Sequence, residues 1–233
     1  MRKRKNIAAI MAAGKGTRAG TSLPKQYEEL GGRLVLERAV DAFEQHPGID
    51  QVVIVVDPDE MERVQNIIQK NAWKKITGIV KGGKVRYQSS WSAINTFSDR
   101  PQDNLIFHDA ARPLVSARII SEVVEKLEHC RVVGVSVPVS DTLFFTGPGK
   151  NHIVSVPDRN IFQRAQTPQG FRISVLSKAY EYALKDLAFK ATDDCGVVKK
   201  YLPGEKILLV TGDEKNMKIT YPGDLEILRA WIG

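Results

Sequence analysis

The chain has 233 residues, 42% hydrophobic and 26% charged, the makeup of a soluble globular domain rather than of a disordered chain. Its formal net charge of +7 points to an anionic partner; outside the run RKRK at residues 2–5 the cations are dispersed and only 7% of residues are aromatic, so small polyanions are favoured over nucleic acid or a membrane surface. Two cysteines without a CxxC spacing and four scattered histidines argue against a protein-bound zinc and fit a reducing, cytoplasmic compartment.

The basic start leads into a first strand, NIAAIM at residues 6–11. At about seven residues this apolar run is too short for a signal sequence, and far short of the roughly 20 residues of a membrane span. A helix is predicted near 34–45, a strand at 51–56, a helix near 59–70, a strand at 76–80, a helix near 86–97, a strand at 104–108, a helix near 116–129 and a strand at 131–139. That alternation predicts an α/β fold, a doubly wound and mostly parallel sheet whose ligands sit beyond the carboxyl ends of the strands. The rhythm breaks at residues 140–160, which read as two strands around the turn TGPGKN, a hairpin that projects as an arm. Helices resume near 174–187 and 193–201, a strand follows at 206–212, and a helix closes the chain. One domain, residues 1–233, with 140–160 as a β-arm insertion, is the expected organisation.

The segment MAAGKGTRAGTSLPKQY, residues 11–27, follows the first strand and places Gly14, Lys15, Gly16, Arg18 and Lys25 together. A Walker A loop does not fit, since no glycine stands at the required position before Lys15 and Gly16 takes the place of the hydroxyl that would hold magnesium. The dinucleotide pattern is met in form by Gly14, Gly16 and Ala19, but Asp57 lies too far on to serve as its acidic residue, and three cations exceed what a pyrophosphate bridge needs. A nucleotidyltransferase loop accounts for both features: the glycines let backbone N–H groups approach phosphate, while Arg18 and Lys25 add charge-assisted contacts. A strand-to-helix turn with solvated lysines is the plain alternative.

Further on, GGKVRYQSS (82–90) frees the backbone at Gly82 and Gly83 to approach a flat base, with Arg86 and Ser89 as hydrogen-bonding groups; a glycine-rich cap is the alternative. In HDAARP (108–113), Asp109 ends a strand and is the candidate magnesium ligand, since Mg²⁺ takes one or two carboxylates beside phosphate oxygens. Arg112 either binds phosphate or structures the turn by pairing with Asp109. Asp158 and Arg159 sit at the base of the arm. Thr192 in TDDCG is the expected cap of a helix, with acids in its first turn. Lys218 is expected in a short strand, where it would want an anionic partner.

Taken together, AAGKGTRAGTSLPKQY, GGKVRYQSS, HDAARP, VPVSDT, DRN, QTPQGF and NMKIT with the following DL resemble the 2-C-methyl-D-erythritol 4-phosphate cytidylyltransferases, the third-step enzymes of the non-mevalonate isoprenoid pathway. The resemblance runs from about residue 6 to residue 230. It implies a Rossmann-like core of the nucleotide-diphospho-sugar transferase kind, a homodimer clasped through the arms, CTP as co-substrate, a polyol phosphate as acceptor and Mg²⁺ as cofactor. Gly14, Lys15, Gly16, Arg18 and Lys25 match its CTP phosphate loop, with Arg18 and Lys25 as reaction-promoting cations. Ala12 and Ala13 match backbone positions near the nucleotide, and Gly82, Gly83 and Ser89 the cytosine-reading segment. Asp109 matches the residue near metal and ribose, and Lys218 a lysine close to the α-phosphate. Arg112, Thr142 and Arg159 match positions that bind the sugar phosphate, Arg159 coming from the partner's arm.

A related branch transfers CMP to alditol phosphates such as ribitol 5-phosphate. HDAARP favours the isoprenoid branch, whereas ATDDCGVV and RYQSSWSAI depart from its usual pattern. A nicotinamide oxidoreductase and a non-catalytic nucleotide-binding module are the competing classes.

Overall fold

The computed structural model describes residues 4–14 and 23–232. Its strands are β1 (Asn6–Met11), β2 (Glu29–Leu30), β3 (Arg33–Leu34), β4 (Gln51–Val56), β5 (Ile76–Lys81), β6 (Asn104–Asp109), β7 (Val132–Pro138), β8 (Phe145–Thr146), β9 (Ile153–Ser155), β10 (Gln163–Arg172) and β11 (Leu208–Thr211). Its helices are α1 (Val35–Glu44), α2 (Met61–Asn71), α3 (Arg86–Thr96), α4 (Ala117–His129), α5 (Ile173–Ala183), α6 (Asp194–Tyr201) and α7 (Asp224–Ile232).

Seven strands build one sheet in the order β11-β7-β10-β6-β1-β4-β5. Every pairing is parallel except those of β10, which runs antiparallel to both β6 and β7. NIAAIM and QVVIVV are almost continuous apolar runs because helices cover both faces of the sheet and each strand is buried on two sides. Successive side chains point to opposite faces. Ala8 and Ile10 therefore pack with Phe43 of α1, Val64 of α2 and Val123 of α4, while Ile7 and Ala9 pack with Ile94 of α3, Leu176 and Tyr180 of α5 and Val197 of α6. A third, smaller cluster of Leu30, Val35, Ala111, Ile219 and Leu228 seats the C-terminal segment beside the carboxyl edge of β6. Among the described residues, no helix is long and apolar enough to cross a membrane.

The expected α/β, mostly parallel sheet is present. The strand at residues 163–172 was not expected: QRAQTPQGFR is polar, holds a proline and a glycine, and lacks apolar alternation. It becomes a strand because β6 and β7 flank it, and its last seven residues are buried. Pro168, which has no N–H to give, falls where the register against β7 shifts between Gln166 and Gly170. Residues 29–34 form another unexpected hairpin, whose two turn glycines, Gly31 and Gly32, have φ of +55° and +72°, as a two-residue turn of this hand requires.

Three local expectations are corrected. Asp193, not Thr192, caps α6, its carboxylate accepting from the Gly196 N–H at 2.8 Å; a charged acceptor suits the positive helix end better than a hydroxyl. Lys218 lies in no strand but in the loop between a 3-10 turn (Glu214–Asn216) and α7; among the described residues, the backbone bond beside it to another segment is the Ile219 N–H donating to Ala111 O at 2.9 Å, which does not build a ladder. The helix expected to run to 187 stops at Ala183. The hairpin at 140–160 is present as β8 and β9, a two-stranded ribbon that, among the described residues, pairs with no other sheet and turns through Gly149 at φ +81°.

Candidate active site

A cleft of about 1420 Å³ opens over the carboxyl ends of β1, β4, β5 and β6, closed on one side by β10 and the loop bearing Lys218. Loops at that edge carry function because helices cover the rest of the sheet.

The first wall continues β1. The Ala12 N–H donates to Val55 O at 2.7 Å, and the buried Gln26 amide donates to Ala12 O at 2.9 Å and Gly14 O at 3.1 Å, so a side chain 12 residues on holds the start of the loop. Among the described residues, a Cβ on Gly14 would meet nothing within 4 Å, and Gly14 lines the cleft. Lys15, Gly16 and Arg18 lie outside the described residues. Lys25 follows Pro24 in a 3-10 turn, and its Nζ donates to Ile219 O at 2.7 Å.

The second wall is the turn after β5. A Cβ on Gly82 would lie 2.5 Å from Ala13 Cβ and 3.0 Å from Val56 O, so glycine is required for the turn after β5 to pack against Ala13 and the end of β4. Gly83 is crowded in the same way by Gln88. Ser89 is buried, and its Oγ accepts from the Gly83 N–H at 3.0 Å. It shapes the turn from within rather than standing on the helix surface.

The floor is the end of β6. Asp109 has three cations around its carboxylate: Lys218 Nζ at 2.8 Å, Arg86 Nε at 3.7 Å and Arg112 Nε at 3.8 Å. Burial opposes its ionisation, but the charge of Lys218, then of Arg86 and Arg112, outweighs burial and holds the carboxyl well below the usual range. His108 beside it is wholly buried, and burial pushes the imidazole down to about 4, so it is neutral. Its Nε2 lies 3.0 Å from Arg112 O, which can only accept, so Nε2 carries the proton. Nδ1 then accepts from the Thr167 hydroxyl at 3.1 Å, and Thr167 Oγ1 accepts from the Asp109 N–H at 3.0 Å. This relay fixes the last residue of β6 against β10.

Arg112 pairs with Asp109 as the turn-forming alternative predicted, and it also donates to Asn216 O at 2.7 Å and Ala165 O at 3.4 Å, although it still lines the cleft. Arg86 turns toward α6: its Nη2 is 2.8 Å from Asp194 Oδ2, and the Tyr180 hydroxyl donates to Asp194 Oδ1 at 2.6 Å. Asp194 is 1% exposed, so a buried ion pair joins the start of α3, just after the Gly82–Gly83 turn, to α6. Thr142 and Arg159 are exposed and do not line the cleft; Arg159 donates to Ser140 O within the arm. Among the described residues, no group of three or more His, Cys, Asp or Glu side chains is placed to hold a metal; Asp57, Asp59 and Asp193 line the cleft as well, and Asp109 is the carboxylate ringed by Lys218, Arg86 and Arg112.

Sequence reasoning named no role for Gln26, Thr167, Gln166, Asn216 or Asp194. QTPQGF and NMKIT pointed to the right segments without distinguishing their members.

Glycine turns beside a cation-ringed carboxylate, at the carboxyl edge of a doubly wound sheet, fit a nucleotide-handling transferase. Residues 7–233 match the family model described as "IspD: 2-C-methyl-D-erythritol 4-phosphate cytidylyltransferase". The chain is 42% identical, over 99% of its own length and 94% of the relative's, to the 2-C-methyl-D-erythritol 4-phosphate cytidylyltransferase of Thermobifida fusca. It is 38% identical, over 97% of its length and 48% of the relative's, to the bifunctional ribulose 5-phosphate reductase/CDP-ribitol pyrophosphorylase Bcs1 of Haemophilus influenzae. The crystal structure of 4-diphosphocytidyl-2C-methyl-D-erythritol synthase from Anaerococcus prevotii superposes with a TM-score of 0.86 at 26% identity, covering 98% of this chain and 96% of that one. The chain belongs to the IspD family of cytidylyltransferases.

Proposed function

We propose that the protein transfers CMP from CTP to 2-C-methyl-D-erythritol 4-phosphate, giving 4-diphosphocytidyl-2-C-methyl-D-erythritol and pyrophosphate, a step of non-mevalonate isoprenoid synthesis. The observation that carries the reading is the Asp109–Lys218 pair at 2.8 Å, set between the glycine turns and within reach of Lys25 and Arg112. An acceptor phosphate oxygen attacks the α-phosphorus of CTP as the bond to pyrophosphate breaks. The phosphate is already anionic at neutral pH, so no strong base is needed, and the barrier is repulsion between anions. Positioning and charge neutralisation supply the catalysis. Arg18, Lys25 and Lys218 neutralise the triphosphate and the transition state, and Lys15 with the backbone of Ala13, Gly14 and Gly16 cradles it, beside Ala12, whose own N–H is taken by Val55 O. Gly82, Gly83 and Ser89 shape the turn that reads cytosine.

Asp109 suits Mg²⁺ as its single protein carboxylate, with phosphate oxygens completing the shell. When bound, the ion neutralises phosphate charge. Lys218, released from Asp109, would then turn to the α-phosphate.

The reading includes one domain with 140–160 as its arm, a cytoplasmic location and a homodimer. Phe144, Phe145, Ile153, Val154 and Val156 leave the ribbon apolar and 54–62% exposed, and a two-stranded ribbon is marginal alone. Clasping a second copy covers it and carries Thr142 and Arg159 to the partner's cleft, where, with Arg112, they bind the acceptor.

The match to Bcs1 supports a second reading, with ribitol 5-phosphate as acceptor. Mg²⁺-dependent pyrophosphate release from CTP, measured in parallel with methylerythritol 4-phosphate, ribitol 5-phosphate and glycerol 3-phosphate, decides between them. The first reading expects release with methylerythritol 4-phosphate; release with an alditol phosphate instead would replace it.

A further inference from the structure

In the loop that carries Lys218, one uncharged side chain reaches back to the sheet. Asn216 is fully buried, and its Nδ2 donates to Gln166 Oε1 at 3.0 Å and to Thr167 O at 2.8 Å, both on β10. Its Oδ1 accepts nothing among the described residues, so the donor end alone makes the attachment. Gln166 is itself fixed in the matching orientation: its Nε2 donates to Asp213 O at 2.8 Å, which turns Oε1 toward Asn216. The Asn216 carbonyl accepts from Arg112 Nη1 at 2.7 Å, and on the far side of Lys218 the Ile219 N–H is bound to Ala111 O. Lys218 itself is 38% exposed on a flexible stem, so its placement against Asp109 depends on where this backbone is held.

We propose that Asn216 is a positioning residue for nucleotidyl transfer: its carboxamide ties the loop to β10 and so holds the backbone from which Lys218 reaches the transferring phosphate. The inference rests on Lys218 acting in the reaction. Asparagine suits the task because its amide gives two hydrogens to two acceptors at this reach. An aspartate of the same shape gives none, and would leave Gln166 Oε1 and Thr167 O facing a carboxylate. Displacement of a catalytic group by about 1 Å costs about 10² in rate.

The test compares wild type, Asn216→Asp, Lys218→Ala and the double variant in steady-state CMP transfer, and follows acylation of Lys218 and Lys84 by mass spectrometry after a pulse of an amine-reactive ester. Asn216→Asp is expected to lower kcat by about 10² with little change in the KM for CTP. The double variant is expected to be no worse than Lys218→Ala, and Lys218 to acylate faster in Asn216→Asp while Lys84 does not. If Asn216→Asp fails to fold, Gln166→Glu, which keeps the acceptor but loses the bond to Asp213 O, should show the same acylation change. An unchanged kcat, a double variant that multiplies the two losses, or an unchanged Lys218 acylation rate overturns the inference. Full activity of Lys218→Ala would remove Lys218 from the reaction and overturn this inference while leaving the CMP-transfer reading standing, whereas no transfer by wild type would take that reading down; a crippled Lys218→Ala beside an intact Asn216→Asp also refutes this inference alone.

Discussion

Lys25 and Lys218 come from opposite ends of the chain and meet at Ile219, whose carbonyl accepts from Lys25 Nζ at 2.7 Å. Lys218 is held by Asp109 at 2.8 Å, and both lysines line the same cleft, where the charge of a bound polyanion would be attracted to them. Lys25→Ala should leave the melting temperature near that of wild type and lower turnover by about 10² or more, the typical loss for one transition-state contact of about 3 kcal/mol; turnover near wild type would take Lys25 out of the mechanism. Much of this was legible at the level of single residues. Asp109 ends a strand and Lys218 lacks a local partner, so each stood out, although their pairing across more than a hundred residues did not. Asn216 and Gln166 were not legible, because an uncharged amide acquires meaning only from the acceptor it meets, and each of these meets the other some 50 residues away.

At the scale of elements, apolar periodicity carried the strands and helices that face the core, from β1 through α4. It failed at β10, where QRAQTPQGFR is strand only because two neighbours supply its ladder. It also failed at residues 29–34, where the paired glycines were the available signal. The cap of α1 shows how a buried charge serves an element. Glu37 is 2% exposed; burial raises its carboxyl, but the Asn71 amide at 2.8 Å and the Leu34 N–H at 2.9 Å, with Arg33 nearby, outweigh burial and leave it below the ordinary value. A carboxyl depressed by folding stabilises fully above its unfolded value of about 4.3, and that stabilisation is lost as pH falls through the lower folded value. Thermal melts should thus show Glu37→Gln less stable than wild type at pH 7, with the gap closing below about pH 4. A gap independent of pH would mean that the charge plays no part.

For the whole molecule, the arm is the feature that one chain does not explain. Its apolar ribbon is exposed, and Arg159 at its base is directed to Ser140 rather than to the cleft of its own chain. Phe145→Asp should yield a monomer by light scattering and raise the KM for the acceptor phosphate while leaving the KM for CTP near its original value, and Arg159→Ala should reproduce the kinetic change in an intact dimer. A dimer that survives Phe145→Asp, or a monomer with an unaltered acceptor KM, would separate the arm from the site.

The central claim is that this cleft joins CMP to an acceptor phosphate. The most direct measurement is ³¹P NMR of the protein incubated with CTP, Mg²⁺ and 2-C-methyl-D-erythritol 4-phosphate. The account predicts that the acceptor monoester resonance disappears as two coupled diphosphate doublets and free pyrophosphate grow in equal amounts. Persistence of the monoester, or conversion of CTP to CDP and inorganic phosphate, would contradict it.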